Sequence, residues 1–172
     1  VYGRLYARQL IALGLPSPPD PLIWFTGLGV AAYATGALAL RAVEARIAGA
    51  GDDRHLYAAA CVVGALGLLL LARAPDALVG SAGVLLVGGV ALVMTRTVGA
   101  IWINRRTASD VRATVQSLLA QAEYAGEILC GVALGALARR ATIPVAFACA
   151  AALLVGVGVL VARTRPDPLR HA

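Results

Sequence analysis

The chain has 172 residues, 60% of them hydrophobic, with 19 glycines besides and only 14% charged. A soluble domain is about 45–50% apolar and about 25% charged, so a water-exposed globule of this size would lack the charges to cover its surface. Soluble enzyme, disordered tail and secreted disulfide scaffold are excluded, and the composition is that of an all-α, multi-pass transmembrane helical bundle.

The net charge is +6, and all fifteen basic residues are arginine. They stand between long apolar runs, as loop charges of a polytopic membrane protein do, which argues against nucleic acid as a partner. Cys61, Cys130 and Cys149 lie inside apolar runs and are odd in number. They read as small hydrophobes, with no disulfide framework and no zinc site.

Residues 1–15 are amphipathic and precede a Pro-rich break at Pro16–Pro21, so they read as the end of a preceding helix. Transmembrane helices are expected over about 22–40, 56–72, 77–103, 114–138 and 141–162. Each reaches the minimum of roughly 17 residues needed to cross hydrocarbon. Residues 163–172 are expected to form a tail.

Loop charge orients these helices. The segments 41–56 and 104–113 and the tail together carry nine arginines. The opposite side carries Arg73, Arg139 and Arg140, with Arg4 and Arg8 if they lie outside, so three to five. The positive-inside rule then places the C-terminus in the cytoplasm of a cell with the chain in its inner membrane.

Glycines recur through the crossings, including a GxxxG step from Gly131 to Gly135. Small residues let helix backbones approach closely in lipid, and helix packing is the plain reading of these positions. Gly27-Leu28-Gly29-Val30-Ala31-Ala32 has the form of a dinucleotide fingerprint, but it sits within an apolar helix without the strand that motif needs. No catalytic or metal-binding constellation is present, so neither enzymatic activity nor a cofactor is expected.

The informative ionisable residues lie in the hairpin 77–138. Gln116, Ala120, Glu123, Glu127, Cys130 and Leu134 fall along one helical line. A polar stripe on a membrane helix faces the bundle interior or a water-filled cavity. Arg96 and Glu123 are almost equally far from the middle of the connector, near position 109, so an antiparallel hairpin brings them to one depth. Arg96 is therefore expected to face Glu123, with Glu127, a turn further on, as the proton-responsive carboxylate. Three readings of these charges stay open: a structural ion pair, a carboxylate coupled to a proton gradient, or an arginine snorkelling to the interface. In the connector, Ser109 or Asp110 is placed to cap the next helix, and Arg112 to meet anionic lipid or a neighbouring loop.

These residues carry a resemblance. Arg4-Leu5, Gly14-Leu15-Pro16 and Trp24-Phe25, with Trp102-Ile103-Asn104, Val111-Arg112-Ala113-Thr114-Val115, Ser117, Gln121-Ala122, Gly126-Glu127 and Gly131 to Gly135, resemble major facilitator superfamily transporters, above all the macrolide-efflux-like drug-export branch. Asn104, Arg112, Thr114 and Ser117 match its cytoplasmic loop motif. Gly3 stands where that branch has an acidic residue, and Gly49-Ala50-Gly51-Asp52-Asp53-Arg54 is a weak echo of the family's Gly/Asp/Arg loop. The resemblance implies twelve helices in two halves, this chain supplying most of the second and an N-terminal half supplying the rest. It also implies efflux of a small-molecule substrate by alternating access, coupled to protons. The alternative is a membrane scaffold or truncated remnant that transports nothing.

Overall fold

The computed structural model describes residues 2–15, 20–48 and 53–164. The tail beyond Thr164, with Arg165 and Arg170, and the middle of the 41–56 connector lie outside the described residues, as do the side chains of Arg4 and Arg46. Every element among the described residues is helical: α1 (Tyr2–Ala12), α2 (Pro21–Ala48), α3 (Asp53–Arg73), α4 (Ala77–Val84), a π-helical segment (Leu85–Ala91), α5 (Leu92–Arg106), α6 (Arg112–Arg140) and α7 (Ile143–Arg163). Helix α4, the π segment and α5 follow one another without a break.

Four helices are long and apolar enough to cross a membrane: Pro21–Glu44, Asp53–Arg73, Ala77–Arg106 and Ile143–Arg163. Helix α6 has the length, with 29 residues. Glu123, Glu127, Gln116 and Gln121 leave it more polar than these four. The helices also run past their charge-free stretches. Helix α2 continues through Arg41 and Glu44, because Arg, Ala and Glu are good helix formers and a charge does not by itself end a helix.

Starts are set by side-chain caps. Asp20 accepts the Leu22 amide at 2.8 Å ahead of Pro21, Asp76 accepts the Val79 amide at 2.8 Å, and Thr142 accepts the Val145 amide at 3.4 Å. Each satisfies an amide that has no partner within its helix. Helix α6 differs from expectation. Its N-cap is Val111, with no side-chain cap, because residues 109–111 form a turn that carries Ser109 and Asp110 past the capping position.

Helix α3 is central. Leu68, Leu71 and Ala65 form one core with Leu10 of α1, Leu28 of α2, Val84 of α4 and Phe147 and Ala151 of α7. A second core joins Ala60 of α3 to Met94 and Val98 of α5. Only 11% of the most apolar stretch of α2 and 22% of that of α7 is buried in the bundle, against 39% for α3 and 44% for Ala77–Arg106. The outer helices thus present Leu22, Tyr33, Leu38, Leu153 and Leu160 outward. An apolar exterior of this extent suits hydrocarbon and not water.

Two backbone-to-backbone crossings set the packing. A Cβ on Gly36 of α2 would lie 2.8 Å from the Gly89 carbonyl oxygen, and one on Gly83 would lie 2.7 Å from that of Gly67 on α3. Any side chain there would push the helices apart. The GxxxG step behaves otherwise: a Cβ on Gly135 would meet nothing within 4 Å. Its spacing marks a face of α6, but no neighbour approaches that face closely at Gly135.

Candidate functional site

The α5–α6 hairpin brings the polar residues together. Near its connector the Gln116 amide donates to the Asn104 side-chain oxygen at 2.8 Å. Deeper in, Arg96 Nη2 lies 3.2 Å from Glu127 Oε1. This corrects the expected pairing of Arg96 with Glu123. Depth counting places residues to within about a turn, and Glu123 and Glu127 are one turn apart on the same face. The long arginine stem decides between them, and it reaches the farther carboxylate.

Glu123 makes no ion pair with a described residue and is exposed on α6. The Tyr57 ring packs where a side chain at Gly99 would stand, 3.4 Å from its Cβ position. The two carboxylates of the stripe therefore differ: Glu127 pairs with a guanidinium, and Glu123 is exposed without an ion pair to a described residue. Glu127, paired as it is, loses the role of unpartnered carboxylate that the sequence pattern assigned to it.

Two cavities meet at Glu127. One of about 400 Å³ is lined by Arg96, Glu127, Cys130, Gly131, Leu134 and Phe147. The other, about 1210 Å³, runs between α1 and α6 past Arg8, Tyr124, Glu127, Gly131 and Gly135. Gly131 is the one fully buried residue of α6, and Gln116, Glu123 and Glu127 of its polar stripe are all exposed, although Gln116 and Glu127 reach α5.

The loop-motif residues are dispersed. Arg112 donates to the Thr107 carbonyl at 3.4 Å, within its own connector, while Thr114 and Ser117 are exposed on the first turns of α6. Arg106 stacks on the Trp102 ring with its guanidinium carbon 4.9 Å from the ring centre. Such a contact holds the cation against the helix end.

Sequence reasoning missed one contact at this end. Asp53, the first residue of α3, is buried, and Arg105 Nη1 donates to both of its carboxylate oxygens. Arg54 next to it donates to the Thr164 carbonyl at the end of α7. These bonds gather the start of α3 and the ends of α5 and α7 at one end of the bundle. The available signal was an acidic residue at the threshold of an apolar run, opposite an arginine ending another.

No group of three or more His, Cys, Asp and Glu side chains among the described residues could hold a metal ion. No protein family, no characterised protein sequence and no solved structure matches this chain.

Proposed function

We propose that this chain is the C-terminal half of a major facilitator transporter that exports small apolar or cationic molecules by alternating access, driven by protons. The observation that carries the reading is the stripe of Gln116, Glu123 and Glu127 on α6. It lies in a bundle with an apolar exterior, yet the chain leaves it uncovered. Lipid does not tolerate ionisable groups on an exposed helix face, which normally borders protein or a water-filled path. An N-terminal half would supply that cover, and substrate sites of such transporters lie between repeats near the midplane.

Within this reading α6 is a fifth crossing and the C-terminus is cytoplasmic. Glu123, the carboxylate without a guanidinium, takes up and releases the proton, while Arg96–Glu127 holds α5 to α6. The loop that echoes the Gly/Asp/Arg motif contributes Asp53, clamped by Arg105.

The test is efflux of a lipophilic cationic dye from energised membrane vesicles containing this chain together with an N-terminal half. Uncoupler-sensitive efflux is expected, lost in Glu123→Gln and absent from the 172-residue chain alone. Dye movement that is indifferent to the uncoupler and to Glu123→Gln would refute proton-coupled export.

A further inference from the structure

The 30-residue rod Ala77–Arg106 changes its hydrogen-bond spacing in the middle. Residues Leu85–Ala91 are π-helical, and the Leu92 amide donates to the Val87 carbonyl five residues back. Each such ring encloses one residue more than an α turn, and π segments are usually confined to a single turn. No proline is present to force the change. The segment is packed on both sides.

Before the π segment, α3 fixes the rod at the Gly67–Gly83 crossing. At its far end, α2 fixes it at the Gly36–Gly89 crossing, where a Cβ on Gly89 would lie 2.9 Å from the Ala32 carbonyl. The extra residue sets the rotation of one crossing against the other. Between them the Gly88 position faces open space, while Leu86, Val87 and Ala91 lie against α3 and Gly89 against α2, so a change of spacing must slide these contacts past one another. Where α spacing resumes, the Thr95 hydroxyl donates to the Ala91 carbonyl at 2.8 Å and to the Leu92 carbonyl at 3.2 Å. Such back-bonding offers those carbonyls a partner outside the backbone ladder.

Three polar contacts of α5 with other helices lie beyond this segment: Arg96 with Glu127, Asn104 with Gln116, and Arg105 with Asp53. If the π segment regularises, α5 turns by roughly 100° and advances by about 1.5 Å relative to α4. Each place now held by one residue is then taken by the residue before it. Thr95 would face Glu127, Ile103 would face Gln116 and Asn104 would face Asp53. All three contacts break in one movement.

We propose that Leu85–Ala91 is a two-register switch, which makes or releases the mid-helix pair Arg96–Glu127 and the end clamp Asp53–Arg105 together by passing between π and α spacing. Helix register shifts of this size are a known form of switching, on the microsecond-to-millisecond scale.

Cysteine crosslinking in the membrane tests the two registers directly. The full-length protein carries Cys61→Ala, Cys130→Ala and Cys149→Ala, with Glu127→Cys paired in turn with Arg96→Cys, Thr95→Cys and Thr97→Cys. An alternative register populated at about 0.1–10% accumulates as trapped product over time. The 96/127 pair should link fastest, and the 95/127 pair should exceed the 97/127 pair by roughly ten-fold, since regularising brings 95 in and carries 97 away. Deleting Gly88 removes the extra residue and keeps α5 in its present register. It should preserve the 96/127 link and lower the 95/127 link to the level of 97/127. Equal yields for 95 and 97 in the intact chain mean mere looseness and overturn the proposal, whether or not the deletion variant folds. A 95/127 yield unchanged by the deletion overturns it as well.

Discussion

Arg105 Nη1 lies 2.9 and 3.1 Å from the two carboxylate oxygens of Asp53, tying the last turn of α5 to the first residue of α3. The Asp53 side chain is 3% exposed and that of Arg105 32%. Removing one partner of a buried pair costs up to about 3–5 kcal/mol, less where water reaches the arginine. Asp53→Asn should therefore lower the thermal unfolding midpoint in detergent clearly. Asp53→Asn combined with Arg105→Gln should recover part of the loss, since no lone charge remains. A midpoint for Asp53→Asn equal to that of the parent chain would count against the clamp.

The corrected ion pair makes an asymmetric forecast for the two glutamates of α6. Glu127→Gln leaves Arg96 without its carboxylate, and a lone charge at mid-helix in a membrane costs about 2.5–3.5 kcal/mol on insertion scales. Glu123→Gln leaves the pair intact. The yield of monodisperse protein should fall for Glu127→Gln, stay near the parent level for Glu123→Gln, and rise again when Arg96→Gln accompanies Glu127→Gln. Equal yields for the two single variants would show that the pair adds nothing to folding.

Helix α2 provides a matched comparison of glycines. Gly36→Ala sets a methyl group 2.8 Å from the Gly89 carbonyl oxygen, whereas Gly27→Ala meets open space. Overpacking costs about 1–3 kcal/mol, while alanine in a free helical position gains roughly 0.5–1 kcal/mol over glycine. Melting midpoints should shift in opposite directions, and a shift in the same direction would mean that α2 does not cross at Gly36.

Capping separates two aspartates that look alike in sequence. Asp76→Ala removes the acceptor for the Val79 amide and should cost about 1 kcal/mol. Asp110→Ala removes no cap, because α6 begins at Val111 without one. Its midpoint should stay within a few tenths of a kcal/mol of the parent, the usual range of a surface change.

The arginine asymmetry can be checked with reporters. A fusion after Ala172 and an insertion near Ala50 should both report cytoplasm, since the segments 41–56, 104–113 and 163–172 together carry nine arginines and positive charge favours that side. The Arg54–Thr164 bond already holds the start of α3 and the end of α7 at one end of the bundle. Reporters on opposite faces would contradict that geometry, and both outside would reverse the orientation.

Much of this was legible in the residues because hydropathy and helical period are local. The apolar runs could be read directly, and the 3.6-residue period put Gln116, Glu123 and Glu127 on one face. Which carboxylate Arg96 takes was not legible, since a long side chain spans the turn that separates them. Asp53 and Arg105 are 52 residues apart, and no local pattern joins them. The Gly36–Gly89 crossing was hidden for the same reason: a glycine shows that closeness is allowed, not which neighbour uses it. The π segment was not legible either, because no proline or other local breaker marks Leu85–Ala91.

Only Ala141 and Thr142 separate the most polar of the long helices from α7, the most apolar span, with a hydropathy of 2.7. If α6 crosses the bilayer as proposed, this constrains the order of events for a nascent chain. Helix α6 alone has little drive to leave water, but two residues are too few for α7 to partition without bringing the end of α6 to the far interface. On the proposed reading of α6 as a fifth crossing, the pair would enter as one hairpin, with the free energy of α7 offsetting the desolvation of Glu123 and Glu127. On that reading, a charge placed in the middle of α7 would be felt first as a failure of α6 to insert.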